Sequence, residues 1–136
     1  MGINSVGVLK DTTDVELYHP KTGQPLFNTD GSKMTVTVHG PYSAKYKAIS
    51  HAQQNRRLAK AQRTGGKLNL TAEELEASQL DLLIKCTSGW AVTLEDSEDA
   101  PQVPFSEAAV RELYEQHPWV RTQVEAVLGD ERAFLG

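Results

Sequence analysis

The clearest period along the chain is two. Met34, Val36 and Val38 alternate with Thr35, Thr37 and His39, the pattern of a β-branched strand with one buried face. Val15-Glu16-Leu17-Tyr18 offers a second, shorter strand upstream. Between them lie two turn signals, Pro20-Lys21-Thr22-Gly23 and Asp30-Gly31, where proline presets one dihedral and glycine accepts a positive one. These pieces predict a small antiparallel unit within residues 13–40. Two strands alone are marginal, so the unit must pack on another part of the chain or on another copy. Residues 1–11 have little periodicity and read as a flexible N-terminal arm.

At Gly40-Pro41 the pattern changes to helical spacing. It predicts four helices, near 43–64, 71–87, 106–117 and 118–129. Ser43 caps the first and Gly65-Gly66 stops it. Tyr42, Tyr46 and Ile49 line its start, but beyond Ser50 only alanines and Leu58 are apolar. A helix polar nearly all round bridges solvent or depends on a partner. Thr71 and Glu74 form a capping box for the second helix. Its stripe of Ala72, Leu75, Leu82, Leu83 and Cys86, widened by Leu80 and Ile84, reads as central to the core. Ser88-Gly89 ends it, Trp90 to Leu94 is a short apolar turn or strand, and Glu95 to Pro104 reads as an exposed loop. Ser106 caps the third helix, with Phe105 and Val110 at the two positions of a hydrophobic staple. Ala109, Val110, Leu113 and Tyr114 give its apolar face. Pro118 opens the fourth, Val120, Val124, Val127 and Leu128 make its stripe, and Gly129 caps it. The predicted fold class is α+β: a small N-terminal antiparallel β-hairpin or sheet (12–40) followed by a mainly α-helical bundle of about four helices (41–136), in one domain spanning 12–136.

Length and composition agree with a single core: 136 residues, 24% charged and 39% apolar. The net charge of −4 hides an uneven distribution. Residues 45–67 carry Lys45, Lys47, Arg56, Arg57, Lys60, Arg63 and Lys67 and no acid, whereas residues 68–136 carry fourteen acids and four bases. Such a block points to nucleic acid, or to pairing with the protein's own carboxylates within the chain or across an oligomer. The acidic total favours the second, so affinity for generic duplex DNA is expected to be weak.

Chemistry-bearing motifs are sparse. A lone cysteine, Cys86, excludes an intramolecular disulfide and a thiolate-rich zinc site, and its place on an apolar helix face reads as an inert buried thiol. His19, His39, His51 and His117 are scattered without ligand spacing. Thr64-Gly65-Gly66-Lys67 lacks the first glycine and the strand of a phosphate loop and reads as a helix stop. Asn28-x-Asp30-Gly31 lacks the first ligand and the glutamate of a calcium loop and reads as a hairpin turn. Asn69-Leu70-Thr71 is a sequon better read as cap context, because the N-terminus has no basic start and apolar stretch of a signal peptide. No apolar run approaches the roughly 20 residues of a membrane span. No catalytic, cofactor-binding or metal-binding residue is expected, and no cofactor or enzymatic activity.

One stretch carries a family resemblance. Val103-Pro104-Phe105-Ser106-Glu107-Ala108-Ala109-Val110-Arg111-Glu112-Leu113-Tyr114 leads to Pro118-Trp119-Val120-Arg121-x-Gln123-Val124 and ends in Asp130-Glu131-Arg132-Ala133-Phe134-Leu135. This resembles the C-terminal part of tail assembly chaperones of tailed bacteriophages: a helix with a Leu-Tyr pair, a Pro-Trp step, a Gln-Val helix and a terminal stretch ending in Phe. Val15-Glu16-Leu17-Tyr18-His19-Pro20-x-Thr22-Gly23, the Val-rich strand and Gly40-Pro41 are similar to the family's N-terminal hairpin. The resemblance covers residues 13–135 loosely and 104–135 fairly well, and the basic segment has no counterpart in it.

The resemblance implies a non-enzymatic protein of the host cell cytoplasm that binds the tape-measure protein before tail-tube polymerisation and leaves before the virion matures. The tail-tube protein and a second copy of the chain are further expected partners. A long amphipathic rod aggregates if left bare, and a chaperone must cover it reversibly. The expected partner-binding residues are Trp119, Val120, Val124, Val127, Phe134 and Leu135. The three valines read equally well as core. Trp119, Phe134 and Leu135 lie at element edges, so Trp119 and residues 133–136 are expected to serve the partner rather than the fold. Two alternatives stand beside this: a small nucleic-acid-associated or regulatory protein using residues 45–67, with Tyr42 and Tyr46 as stacking groups, and a structural tail or connector subunit.

Overall fold

The computed structural model describes residues 2–63, 65 and 71–135. Thr64, Gly66-Lys67 and Asn69-Leu70, which belong to the expected helix stop and sequon, lie outside the described residues. The architecture is α+β. A three-stranded antiparallel sheet in the order β1-β2-β3 is formed by β1 (Thr12–Glu16), β2 (Thr35–His39) and β3 (Thr87–Ala91). Four helices accompany it: α1 (Ala44–Arg63), α2 (Ala72–Cys86), α3 (Glu107–Gln116) and α4 (Pro118–Leu128). A short 3-10 turn, Glu131–Phe134, follows α4.

The period of two holds where it was read. Thr12 pairs with His39 and Glu16 with Thr35 in antiparallel register. Val15, Val36 and Val38 are buried while their neighbours are half-exposed or open. The connection from β1 to β2 folds into two small ribbons closed by the expected turns. One is bridged by Tyr18 and Pro25, with Gly23 at φ 74°; the other is bridged by Phe27 and Lys33, with Gly31 at φ 87°. Asn28, far from a calcium ligand, is a buried hub: its amide nitrogen reaches Ser32 Oγ, Lys33 O and Ala91 O, and Thr93 donates to its oxygen at 2.7 Å.

Three boundaries differ from the sequence reading. The third strand follows α2 with no linker and spans Thr87–Ala91, earlier than the turn or strand expected at Trp90–Leu94. Thr87 Oγ1 bonds back to Leu83 O at 2.8 Å, closing the helix as the backbone turns extended. Val36 then pairs with Trp90 and Thr37 with Gly89, with a register shift at Thr37/Val38. The expected free arm is shorter than residues 1–11, because Lys10 N donates to Phe134 O at 2.7 Å and Gly40 N to Asp11 O at 2.7 Å. The α2 stripe is buried only from its middle onward: Leu83, Ile84 and Cys86 are in the core, but Leu75 is 43% exposed.

α3 and α4 cover the sheet. Val110, Leu113, Tyr114, Val120 and Val124 share one core with Val15, Leu17, Val36, Val38, Leu83, Ile84 and Val92. Burying such side chains contributes roughly 1.5–3 kcal/mol each. Ser106 caps α3 by accepting from Ala109 N at 3.0 Å, and His117 ends α3 and starts α4, with Pro118 at the first helical position. Gln123 then fastens α4 to the hairpin with both amide atoms: Nε2 donates to Tyr18 O at 2.7 Å and Oε1 accepts from Tyr18 N at 2.9 Å.

The chain closes on itself at Gly40. A Cβ there would stand 2.7 Å from Phe134 Cε1, so the absence of a side chain is what admits the ring. Gly40→Ala is therefore expected to cost about 1–3 kcal/mol as an overpacking substitution, measured by urea unfolding. Adding Phe134→Leu to Gly40→Ala should cost less than Phe134→Leu alone does in the native background. Strict additivity of the two would show that the ring is not the obstacle.

Candidate partner-binding surface

The six expected binding residues divide by burial. Val120 and Val124 are 1% and 0% exposed in the main core. Phe134 is 3% exposed under Gly40, which corrects its assignment to a free apolar tail. Its place past the Gly129 stop left its partner unseen, because that partner is distant in sequence. Residues 133–134 also hold β1 and the strand's approach: Thr13 Oγ1 donates to Ala133 O at 2.9 Å, beside the Lys10 bond to Phe134 O. Removing residues 133–136 is therefore expected to disturb folding as well as any partner contact. Trp119 and Val127 are half-buried against the core, with Trp119 edge-on to His117 at 6.2 Å between ring centroids. Leu135 is the most open of the six, at 36%.

The apolar surface that α4 leaves accessible lies elsewhere. An open groove of about 250 Å³ is lined by Tyr46 of α1, Gln79, Leu82 and Leu83 of α2, and Glu125 and Leu128 of α4. Leu82, Leu83 and Leu128 give it an aliphatic floor, and Gln79 and Glu125 a polar rim. Arg121 fixes the rim by bonding Glu125 at 2.8 Å and approaching Glu76 of α2 at 3.8 Å. On the α3 side, Asp81 of α2 meets Lys85 at 3.1 Å and Arg111 at 3.5 Å. Sequence reasoning placed Leu82 in the core and did not join Tyr46 to Leu128. Each is on a legible apolar stripe, but the crossing of three helices that brings them together is a tertiary fact.

Behind the groove the core holds two titratable groups in neutral form. Burial pushes the Cys86 thiol up to about 11, consistent with the inert thiol read from its helix face. Burial likewise pushes the Tyr114 phenol up to about 12. Thr87 Oγ1 lies 2.8 Å from Tyr114 OH, and since its single proton serves Leu83 O, Tyr114 is the donor. Among the described residues no group of three or more His, Cys, Asp or Glu is placed to hold a metal ion.

The basic block pairs little within the chain. Among the described residues only Lys60 of this block has an acidic partner, Glu74 at 4.0 Å; Lys45, Lys47, Arg56, Arg57 and Arg63 form no ion pair. Pairing within the chain therefore fails for most of these cations, and both pairing across copies and a phosphate partner are left. No described helix is long and apolar enough to cross a membrane. Compared with known proteins, the chain matches no family model, no curated protein and no solved structure.

The raised Tyr114 value fixes a sign. Its folded pKa lies above the unfolded one near 10, so its contribution is fully present below pH 10 and is lost as pH climbs to about 12. Tyr114→Phe is expected to cost about 1 kcal/mol at neutral pH, from the lost hydrogen bond. It should also flatten the loss of stability between pH 10 and 12, read from urea midpoints along a pH series. An unchanged slope would mean that another group carries the alkaline transition.

Proposed function

We propose that the chain is a tail assembly chaperone of a tailed bacteriophage. It holds an amphipathic helical segment of the tape-measure protein in the groove between α1, α2 and α4 until the tail tube encloses that protein. The observation that carries this reading is the groove itself: an aliphatic floor in which Leu82 and Leu128 are partly open to solvent above the buried Leu83, with Tyr46, Gln79 and Glu125 at its edge. Recognition of a helix by its apolar face needs such a floor with a polar rim. The resemblance over residues 104–135 falls on α3 and α4, and α4 supplies one wall. A groove of this size engages a few side chains at a time, which suits a contact that must later be given up.

On this reading the protein works in the host cytoplasm, has no catalytic residue and is absent from the mature virion. The structural-subunit alternative differs on that last point, so assay of purified particles separates the two. The nucleic-acid alternative keeps only part of its stacking platform. Tyr46 is half-buried along the groove, and Tyr42, though 58% exposed, commits its hydroxyl to Glu131 at 3.0 Å.

The test is co-expression with the tape-measure protein. Leu82→Glu and Leu128→Glu place a carboxylate on the groove floor. They are expected to weaken the complex by about 1–3 kcal/mol, ten- to a hundredfold in affinity, and to send the long partner into the pellet. Circular dichroism of each variant separates lost binding from lost folding. A folded variant that still keeps the partner soluble would place the binding surface elsewhere.

A further inference from the structure

α1 carries three of its six cations on one stripe. Lys45, Ile49, Ala52, Arg56, Ala59 and Arg63 follow one another at steps of three and four residues, so they share one face of a helix about 30 Å long. Two hollows lie along the seam between α1 and α2. One, of about 420 Å³, is lined by Lys45, Ile49, Ile84 and Lys85 with Glu107 at its edge; the other, of about 450 Å³, is lined by Gln53, Arg56, Arg57, Lys60 and Ala77 with Glu74 at its edge. The surface thus has two shallow hollows in which cations outnumber the single carboxylate of each, and Lys45, Arg56, Arg57 and Arg63 have no ion pair among the described residues.

The chain presents the complementary surface at another place. The loop of residues 92–103 contains Glu95, Asp96, Glu98 and Asp99 and no base, whereas Glu107 lines the Lys45 hollow of its own chain. The loop is held in shape by three hydrogen bonds of 2.8 Å: Val103 N to Val92 O, Trp90 Nε1 to Val103 O, and Thr29 Oγ1 to Ala100 O. Its residues 94–99 stay exposed, with Leu94 half open at 50%. Those same bonds tie it to β3 and the β1–β2 connection, and no ion pair joins it to α1 among the described residues.

We propose that the α1 stripe of one copy receives the 94–99 loop of a second copy, so that the chain associates head to tail with itself. Glu95, Asp96, Glu98 and Asp99 face the cations, and Leu94 lies on the alanine and isoleucine positions between them. The loop is already ordered, so little conformational freedom is lost on docking. The two surfaces are different, so the contact is heterologous and either closes into a ring or extends. This contact is separate from the groove between α1, α2 and α4 and stands or falls independently of the tape-measure reading.

The experiment is sedimentation velocity of the full chain over a concentration series at low and high salt. The native protein is expected to associate at low salt and to dissociate at high salt, where opposite charges on the two copies are screened. Arg56→Glu/Arg57→Glu and Glu95→Lys/Asp96→Lys are each expected to weaken association on the order of a hundredfold, by setting like charges against each other. Mixed together, the two variants should associate again, because each supplies the charge that the other now needs. Circular dichroism checks folding, and the loop variant tests the contact even if the helix variant unfolds. A native chain that stays monomeric at low salt overturns the proposal, as does a mixture of folded variants that fails to associate. A monomer whose Arg56 and Arg57 instead give tight, steeply salt-dependent binding to a short DNA duplex also overturns it and assigns the stripe to phosphates.

Discussion

The whole fold answers to the open face of β2. Val36 and Val38 are 0% exposed on the central strand of a three-stranded sheet, whose apolar face must be buried against another layer. α3 and α4 provide the cover through Val110, Leu113, Val120 and Val124. Hydrophobic burial drives this packing but is non-directional. Direction comes from polar clasps at the margins. The Gln123 amide grips the Tyr18 backbone on both sides, and Trp90 Nε1 fixes the loop that leads into α3. Phe134, seated at Gly40, closes the far end. Each clasp joins residues distant in sequence, so the sheet and its helical cover order together.

What was legible in the sequence was what local chemistry decides. The alternating valines, the two turns, and the Ser43, Thr71 and Ser106 caps are set by residues within a few positions of one another, and the structure keeps them. β3 was only half legible. Thr87-Ser88-Gly89 has the composition of a stop, and no local preference asks for a strand there. It is extended because the second edge of β2 offers hydrogen bonds that a turn would leave unmet. Phe134 was misread for the same reason, since nothing around it in sequence reveals that Gly40 lacks a side chain directly above the ring. Of the candidate surface, the individual apolar stripes were visible, but not which members the helix crossings would spare from burial. Leu82 and Leu128 remain accessible while Val120 and Val124 do not.

Charge shows most plainly how sequence proximity differs from reach. The basic block is followed at once by an acidic half, and counting alone makes pairing between them natural. The fold prevents most of it. Lys45 and Glu107 line the same hollow at the start of α1, but Arg56 is eleven residues further along a rigid helix, about 16 Å away. That exceeds the Debye length of about 8 Å at physiological ionic strength. The carboxylates near α3 therefore do little for the cations at the other end of α1. Exposed ion pairs add at most about 1 kcal/mol to stability, so folding places little demand on where such charges lie. A cationic stripe on one element and an acid-rich loop on another, joined by no ion pair among the described residues, are then available to set how the protein meets its partners.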